Sequence, residues 1–326
     1  MSELDSIKKA LAPAHWNEAR RDFLARFIVA LLTAQTSCLY RLASLFPSKA
    51  QIASRYHRIR RFFAGFDVEH SDFARIILAL AIKAGANPPF ILSFDRTEWY
   101  LGTVPINIFM IGIVYKQIAF PILWTMLDKA GSSDSKERID LLANAVALLG
   151  KDKIAFVIGD REFVCHDLLQ WLHQEKIGYR LRLRSDILVT NGLGEQVTAG
   201  WLFHRFALGK EQYFDKARHC LGQSVFLAGM RFVSDKGKRD YLIRDYLIVV
   251  SNEPAPLSDY ALRWSIENLF SGLKSRGFNL VLIWKRLTCW KTSESHGYCR
   301  SWRLLFAGRS LWEWQISSNG SGRGDR

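Results

Sequence analysis

Two apolar runs of the chain close on an aspartate: "FILSFD" ends at Asp95 and "KIAFVIGD" at Asp160. Both are rich in the Ile, Val and Phe of buried strands, which puts each carboxylate at the C-terminal edge of a sheet. One aspartate in such a place is ordinarily a turn residue. A third acid, Glu267, lies in "YALRWSIENLFSGLK", where Tyr260, Arg263, Glu267 and Lys274 follow at spacings of three, four and seven. On a helix these spacings gather the four side chains within an arc of roughly 60°. Leu262, Ile266, Leu269 and Leu273 then form a neighbouring apolar arc for burial. A solvated face with Arg263 paired to Glu267 one turn away would leave the same pattern. Taken together, three carboxylates from two strands and a helix suit Mg²⁺, a hard ion that keeps its remaining positions for water and phosphate. Two such ions roughly 3.5–4 Å apart activate an attacking oxygen and stabilise a leaving one, which is phosphodiester chemistry.

These residues need a sheet to hold them. After the break "GANPPF", at residues 85 to 90, come three strand-like runs, "FILSFD", "VPINIFMIGIVY" and "QIAFPILWTML", with connections short enough for hairpins. The stretch "DSKERIDLLANAVALLG" is a helix with Asp134 and Glu137 spaced as a capping box and Gly150 at its end. A strand "KIAFVIGD", a helix "HDLLQWLHQEK", a strand "YRLRLR", a strand "YLIVVSN" and the Tyr260 helix complete the order. Hairpin strands joined to parallel strands with helices across them make an α+β fold with a ribonuclease-H-like core at residues 86–280. Residues 185–245, rich in Phe, Gly and Arg, interrupt it as a mainly β insertion.

Residues 1–85 read as helices, with apolar periodicity in "RDFLARFIVALLTA" and "SDFARIILALAIKAG". From Phe23 to Phe66 there is no acidic residue, while Arg26, Arg41, Lys49, Arg55, Arg58, Arg60 and Arg61 are all basic. A turn and a basic helix in "PSKAQIASRYHRIRRFFAGF" suit a helix-turn-helix on duplex DNA, with Arg55, Arg58 and Arg61 as contacts; a solvated basic face is the alternative. The whole chain, 326 residues with 49% hydrophobic side chains and a formal charge of +14, is long enough for two or three domains and favours a polyanionic partner. No apolar run reaches the length of a membrane span and the first residues have no signal-peptide pattern, so a cytoplasmic protein without a membrane partner is expected. Cys38, Cys165, Cys220, Cys289 and Cys299 are scattered without a CxxC pair and are expected to be reduced.

The motifs "SFDRTEW", "GDREF" and Y-x2-R-x3-E-x6-K, formed by Tyr260, Arg263, Glu267 and Lys274, resemble those of the bacterial DDE-type insertion-sequence transposases, specifically the insertion sequence four family. The resemblance spans residues from about 35 to 280. It implies that Asp95, Asp160 and Glu267 are a metal-binding catalytic triad for two Mg²⁺ ions, with Mn²⁺ able to substitute. Tyr260, Arg263 and Lys274 would contact phosphates of the transposon end. The implied reaction is cut-and-paste transposition: cleavage of one strand by water, hairpin formation by the freed 3′ hydroxyl, reopening, and attack on target DNA. The implied partners are double-stranded DNA, as terminal inverted repeats and target, and a second copy of the chain in a homodimer on DNA, in the bacterial cytoplasm or nucleoid. A truncated relic or inhibitor that binds the ends without completing catalysis is the alternative.

Other residues carry weaker signals. The alternation "RLRLR" sets Arg180, Arg182 and Arg184 on one strand face, either following a DNA backbone or simply exposed. Trp201 is expected in the core, with stacking on a displaced base as the alternative. Arg161 and Glu162, directly after Asp160, are read as supporting groups, His166 is read as structural, and Cys165 stands where the family commonly has glycine. After "RGFNL" the chain departs from the family: residues 281–326 hold five of the eleven tryptophans and keep neither period for long. A frameshift near codon 281 is expected, because Ser295 to Trp312 can be encoded so that another frame reads an apolar helix.

Overall fold

The computed structural model describes residues 2–36, 38–65, 69–101, 104–127, 131, 133–234 and 243–276. The tail 281–326, with its expected change of frame, lies outside them.

Five helices come first: α1 (Glu3–Ala10), α2 (Glu18–Ala34), α3 (Leu39–Leu45), α4 (Ile52–Gly65) and α5 (His70–Lys83). Asn17 caps α2 through its side-chain oxygen, which accepts from the Arg20 amide at 2.9 Å. The buried face of α2 recurs every four residues: Phe23 stacks on Phe62 at 4.1 Å and Phe27 meets the edge of Phe63 at 5.0 Å, which fastens α4 to α2. Asp72 is buried on α5, and its charge is met by Trp16 Nε1 at 2.7 Å and Arg75 at 3.0 Å.

The strands β1 (Phe90–Leu101), β2 (Val104–Tyr115) and β3 (Ile118–Leu127) follow. Strands β2 and β3 pair antiparallel from Tyr115↔Ile118 onward, turning at Lys116, whose φ is 55°. Successive residues Ile108, Phe109, Met110 and Ile111 are all buried, so both faces of β2 are covered. Helix α5 lies on β3, with Phe73 against Trp124 at 6.4 Å.

Next come α6 (Ser135–Leu149), β4 (Ile154–Gly159), α7 (His166–Gln174) and β5 (Gly178–Leu183). The capping box is formed, with Asp134 and Glu137 each accepting the other's amide at 2.8 Å, and Gly150 ends α6 at φ 88°. Residues 185–245 contain β6 (Leu188–Thr190), β7 (Gln196–Thr198), α8 (Ala199–Phe203), β8 (Glu211–Tyr213), β9 (Arg218–Cys220) and β10 (Gln223–Ser234). The last elements are β11 (Ile243–Ser251), α9 (Leu257–Ala261), α10 (Trp264–Ser271) and a π-helical turn, Gly272–Arg276.

The result is a mixed α+β fold with a large mixed sheet, divided into two compact units. Unit one comprises the described residues of Met1–Asn87, Arg96–Ala130 and Ile266–Arg326; unit two comprises those of Pro88–Asp95 and Gly131–Ser265. The boundary cuts β1. In unit one the strand order is β3–β2–β1, and in unit two β1–β4–β5–β11–β10–β9–β6–β7, with β8 on β10. Strand β4 runs parallel to both β1 and β5, while β11 is antiparallel to β5 and to β10. Among the described residues no single helix is long and apolar enough to cross a membrane.

The continuous helix expected from Tyr260 to Lys274 does not form. Helix α9 ends at Ala261, and the amides of Leu262, Arg263 and Ser265 bond three residues back, to Asp259, Tyr260 and Leu262. The Ser265 hydroxyl also donates to the Leu262 carbonyl at 2.7 Å. This tightened joint resets the helix before α10, so a rotation of 100° per residue does not carry from Tyr260 to Lys274, which sits in the π turn. The apolar arc survives: Ile266, Leu269 and Leu273 are buried.

Candidate active site

Parallel pairing brings the two aspartates to matching positions, but Asp95 is not at the strand end expected of it: β1 continues to Leu101 beside β2, and only Asp160 stands just past the end of its strand. The last registered pairs are Ser93↔Ile158 between β1 and β4, and Gly159↔Leu181 between β4 and β5. Two residues beyond the first pair both strands reach an aspartate, Asp95 and Asp160; one residue beyond the second pair, Asp160 is level with Arg182. Side chains two apart share a face, so Asp95, Asp160 and Arg182 fall in a row across three neighbouring strands. The close approach depends on Gly159: a Cβ there would lie 2.4 Å from Cζ of Phe94. Phe94 is fully buried and meets Phe163 edge-on at 5.2 Å.

The loop after Asp160 is tied down from α6. The Phe163 amide donates back to the Asp160 carbonyl at 3.1 Å. Buried Arg138 donates to the Phe163 carbonyl at 3.1 Å and to the Ser133 hydroxyl at 2.9 Å. Arg161 and His166 face solvent, and His166 Nδ1 lies 3.2 Å from Asp167.

Helix α9 and the joint after it bring two groups onto the row, Tyr260 and Arg263. Arg263 Nη1 donates to Asp95 Oδ2 at 2.9 Å, with the two side chains only 13% and 14% exposed. The Tyr260 hydroxyl donates to Asp160 Oδ1 at 3.3 Å, and Arg182 Nη1 stands 3.9 Å from the same oxygen, outside hydrogen-bond reach. Burial pushes the Tyr260 phenol well above its ordinary value and Asp160 adds to the shift, against Arg263 and Arg182. Tyr260 therefore stays a proton donor across the working range of pH. Its ring packs with Leu257, Ile158, Val249 and Ala228, which fixes the joint over β4 and β11.

Arg180 anchors α9. Its side chain is 5% exposed and donates to Asp259 at 3.1 Å, Glu253 at 2.9 Å and the Tyr179 carbonyl at 2.9 Å. The row of arginines on β5 is thus neither a DNA track nor an open face. The strand is central, Arg180 is committed to α9, Arg182 points to Asp160, and Arg184 is exposed and paired with Asp186. Sequence spacing found Arg182 without revealing its carboxylate partner, because that partner is set by strand order. Trp201 is corrected as well: it is 48% exposed, its ring tilted against His204 at 5.4 Å, and not in the core.

In the helical unit Arg55 is spent on backbone. It donates to the carbonyls of Ala50 at 2.6 Å, Ser44 and Phe46 at 3.1 Å, and Ala43 at 3.2 Å, which ties the end of α3 to α4. Arg58 and Arg61 are exposed on α4, Arg58 with its guanidinium 5.2 Å from the Phe23 ring centre.

Glu267 is half-buried on α10, within unit one, and Lys274 is half-buried in the π turn. Among the described residues no three His, Cys, Asp or Glu side chains form a group that could hold a metal ion. Asp95 and Asp160 are nonetheless carboxylates, the ligand type a hard divalent ion takes, with side chains 14% and 27% exposed.

No family model and no curated protein matches the chain. Among solved structures, it is similar to the cryo-EM structure of a piggyBac transposase synaptic complex with hairpin DNA, at 13% identity and a TM-score of 0.48, over 99% of this chain and 74% of that one.

Proposed function

We propose that the chain is a DDE-type transposase of the insertion sequence four family, which cleaves and joins DNA at the ends of its own element. The observation that carries this reading is the matched offset of Asp95 and Asp160 on adjacent parallel strands, under a joint that supplies Tyr260 and Arg263 from one motif. The strand orders β3–β2–β1 and β1–β4–β5, with helices before β4 and β5, support a ribonuclease-H-like core.

In this reading Asp95, Asp160 and Glu267 hold two Mg²⁺ ions, which Mn²⁺ can replace. When bound, such ions activate the attacking oxygen and stabilise the leaving one. Tyr260 orients Asp160 by donating its retained proton. Arg138 holds the loop that follows Asp160, and Arg180 holds the helix that carries Tyr260. Arg263 and Lys274 bind phosphates of the cleaved end. Arg58 and Arg61 extend the DNA contact along α4, while Arg55, already bonded to carbonyls, is left out. The charge of +14 suits a duplex partner, and a homodimer would hold two ends together.

The departure of the tail from the family pattern favours one second reading, a relic that binds ends without cutting them. The test is strand cleavage of a duplex carrying the terminal repeat, in Mg²⁺, beside an unrelated duplex. Cutting confined to the end, lost in Asp95→Asn, Asp160→Asn and Glu267→Gln with binding retained, is the expected result. Binding without cutting would favour the relic, and cutting that survives all three substitutions would refute the triad.

A further inference from the structure

We infer that Arg263 is the counter-cation of Asp95 and must yield that carboxylate to a divalent ion, so that ion binding and phosphate binding are coupled through one side chain. The inference rests on the proposed ion site at Asp95. Arg263 and an ion would compete for the same oxygen, since Nη1 lies 2.9 Å from Oδ2. The pair is largely buried and poorly screened, so a doubly charged ion on Asp95 would repel the guanidinium strongly. A guanidinium does not lose its proton in a protein, and its charge can leave only by moving.

The backbone allows that movement. Arg263 lies in the joint between α9 and α10, outside both helices, and its neighbour Trp264 is 63% exposed. The Arg263 amide bonds to the Tyr260 carbonyl at 3.0 Å, and a swing of the side chain leaves that bond in place. A released guanidinium is a forked donor matched to phosphate oxygens, so a nearby DNA phosphate would take it up. Asp160 is held differently, by a neutral phenol at 3.3 Å and by Arg182 only at 3.9 Å. The exchange is therefore specific to Asp95. By linkage, whatever DNA does for ion affinity through Arg263, the ion does for DNA affinity.

The experiment is titration calorimetry of the full-length protein with Mn²⁺, with and without a short duplex. Arg263→Gln, which removes the guanidinium charge from beside the carboxylate, should bind Mn²⁺ about tenfold more tightly than wild type without DNA, the scale of one charge-assisted hydrogen bond. Arg263→Lys keeps a cation beside Asp95 and should stay within about twofold of wild type. The duplex should tighten Mn²⁺ binding in wild type and do so less in Arg263→Gln. Melting curves identify any variant that has not folded, and the Lys variant and the DNA dependence then still decide. Equal or weaker binding by Arg263→Gln, a gain in Arg263→Lys as large as in the Gln variant, or the same DNA effect in wild type and Gln variant would overturn the inference. Asp95→Asn separates the two levels of the argument. If it retains wild-type Mn²⁺ affinity, the ion site itself is wrong and the exchange falls with it; if it loses binding while Arg263→Gln gains none, only the exchange is wrong.

Discussion

Gly159→Ala should pry apart the two neighbouring strands, β1 and β4, beside the aspartates. The added Cβ would lie 2.4 Å from Cζ and 2.5 Å from Cε2 of Phe94, distances that require something to shift. Phe94 has little room to move, because it is fully buried and braced edge-on by Phe163. Forcing one methyl group into such packing costs about 1–3 kcal/mol. Alanine recovers about 0.5–1 kcal/mol, since it loses less freedom than glycine in a strand. A net loss of about 0.5–2 kcal/mol lowers the melting temperature of a unit this size by about 1–8 °C. Thermal unfolding followed by circular dichroism on wild type, Gly159→Ala, Phe94→Leu and the double variant measures it. Phe94→Leu removes the ring atoms in the way, so the double variant should lose less than the sum of the singles, by about 0.5 kcal/mol or more. A Gly159→Ala protein as stable as wild type, or strict additivity of the two changes, would refute the account of this contact.

Arg180→Met should cost about 3 kcal/mol, at the lower end of the range for breaking a buried ion pair because Glu253 stays largely solvated, and urea unfolding reads it; a neutral effect would mean that α9 is held by its apolar contacts alone. Arg58→Ala with Arg61→Ala should lower the slope of log affinity against log salt for duplex DNA by about 2, whereas Arg55→Ala should lower the melting temperature and leave the slope alone. The reverse pattern would exchange the roles of these arginines. Burial pushes the Cys220 thiol from an ordinary value of 9.0 up to about 12. Between those values the unfolded chain loses a proton that the folded chain keeps, so stability falls as pH rises, by up to about 1.4 kcal/mol per pH unit. Cys220→Ala should flatten that fall in urea titrations across this range, and an unchanged slope would exclude the thiol as its source.

Local chemistry in the sequence determined much of the scaffold. The run from Val104 to Tyr115 is one strand from end to end, the Asp134–Glu137 box opens its helix, and Asp160 stands just past the end of its strand, whereas Asp95 lies inside β1, which runs on to Leu101. The first three depend on residues within a few positions of one another, where periodicity and capping act. The helix break at Leu262 was hidden, because the apolar spacing continues through it and only the joint's own hydrogen bonds interrupt the rotation. What each charge meets was hidden as well. Arg263 reaches Asp95 across 168 residues of chain and Tyr260 reaches Asp160 across 100, contacts that exist only once β1, β4 and β5 lie in order. Arg180, Arg182 and Arg184 alternate regularly in the sequence, yet one is buried, one points to Asp160 and one is solvated, because each has different strands and helices beside it. Arg55 and Arg58, three residues apart on one basic helix, differ for the same reason: one lies against the open carbonyls at the end of α3 and the other does not. Sequence sets which charges are present and how they are spaced along each element, but a charge's partner is set by long-range packing, which decides where water is excluded and which opposite charge remains within reach.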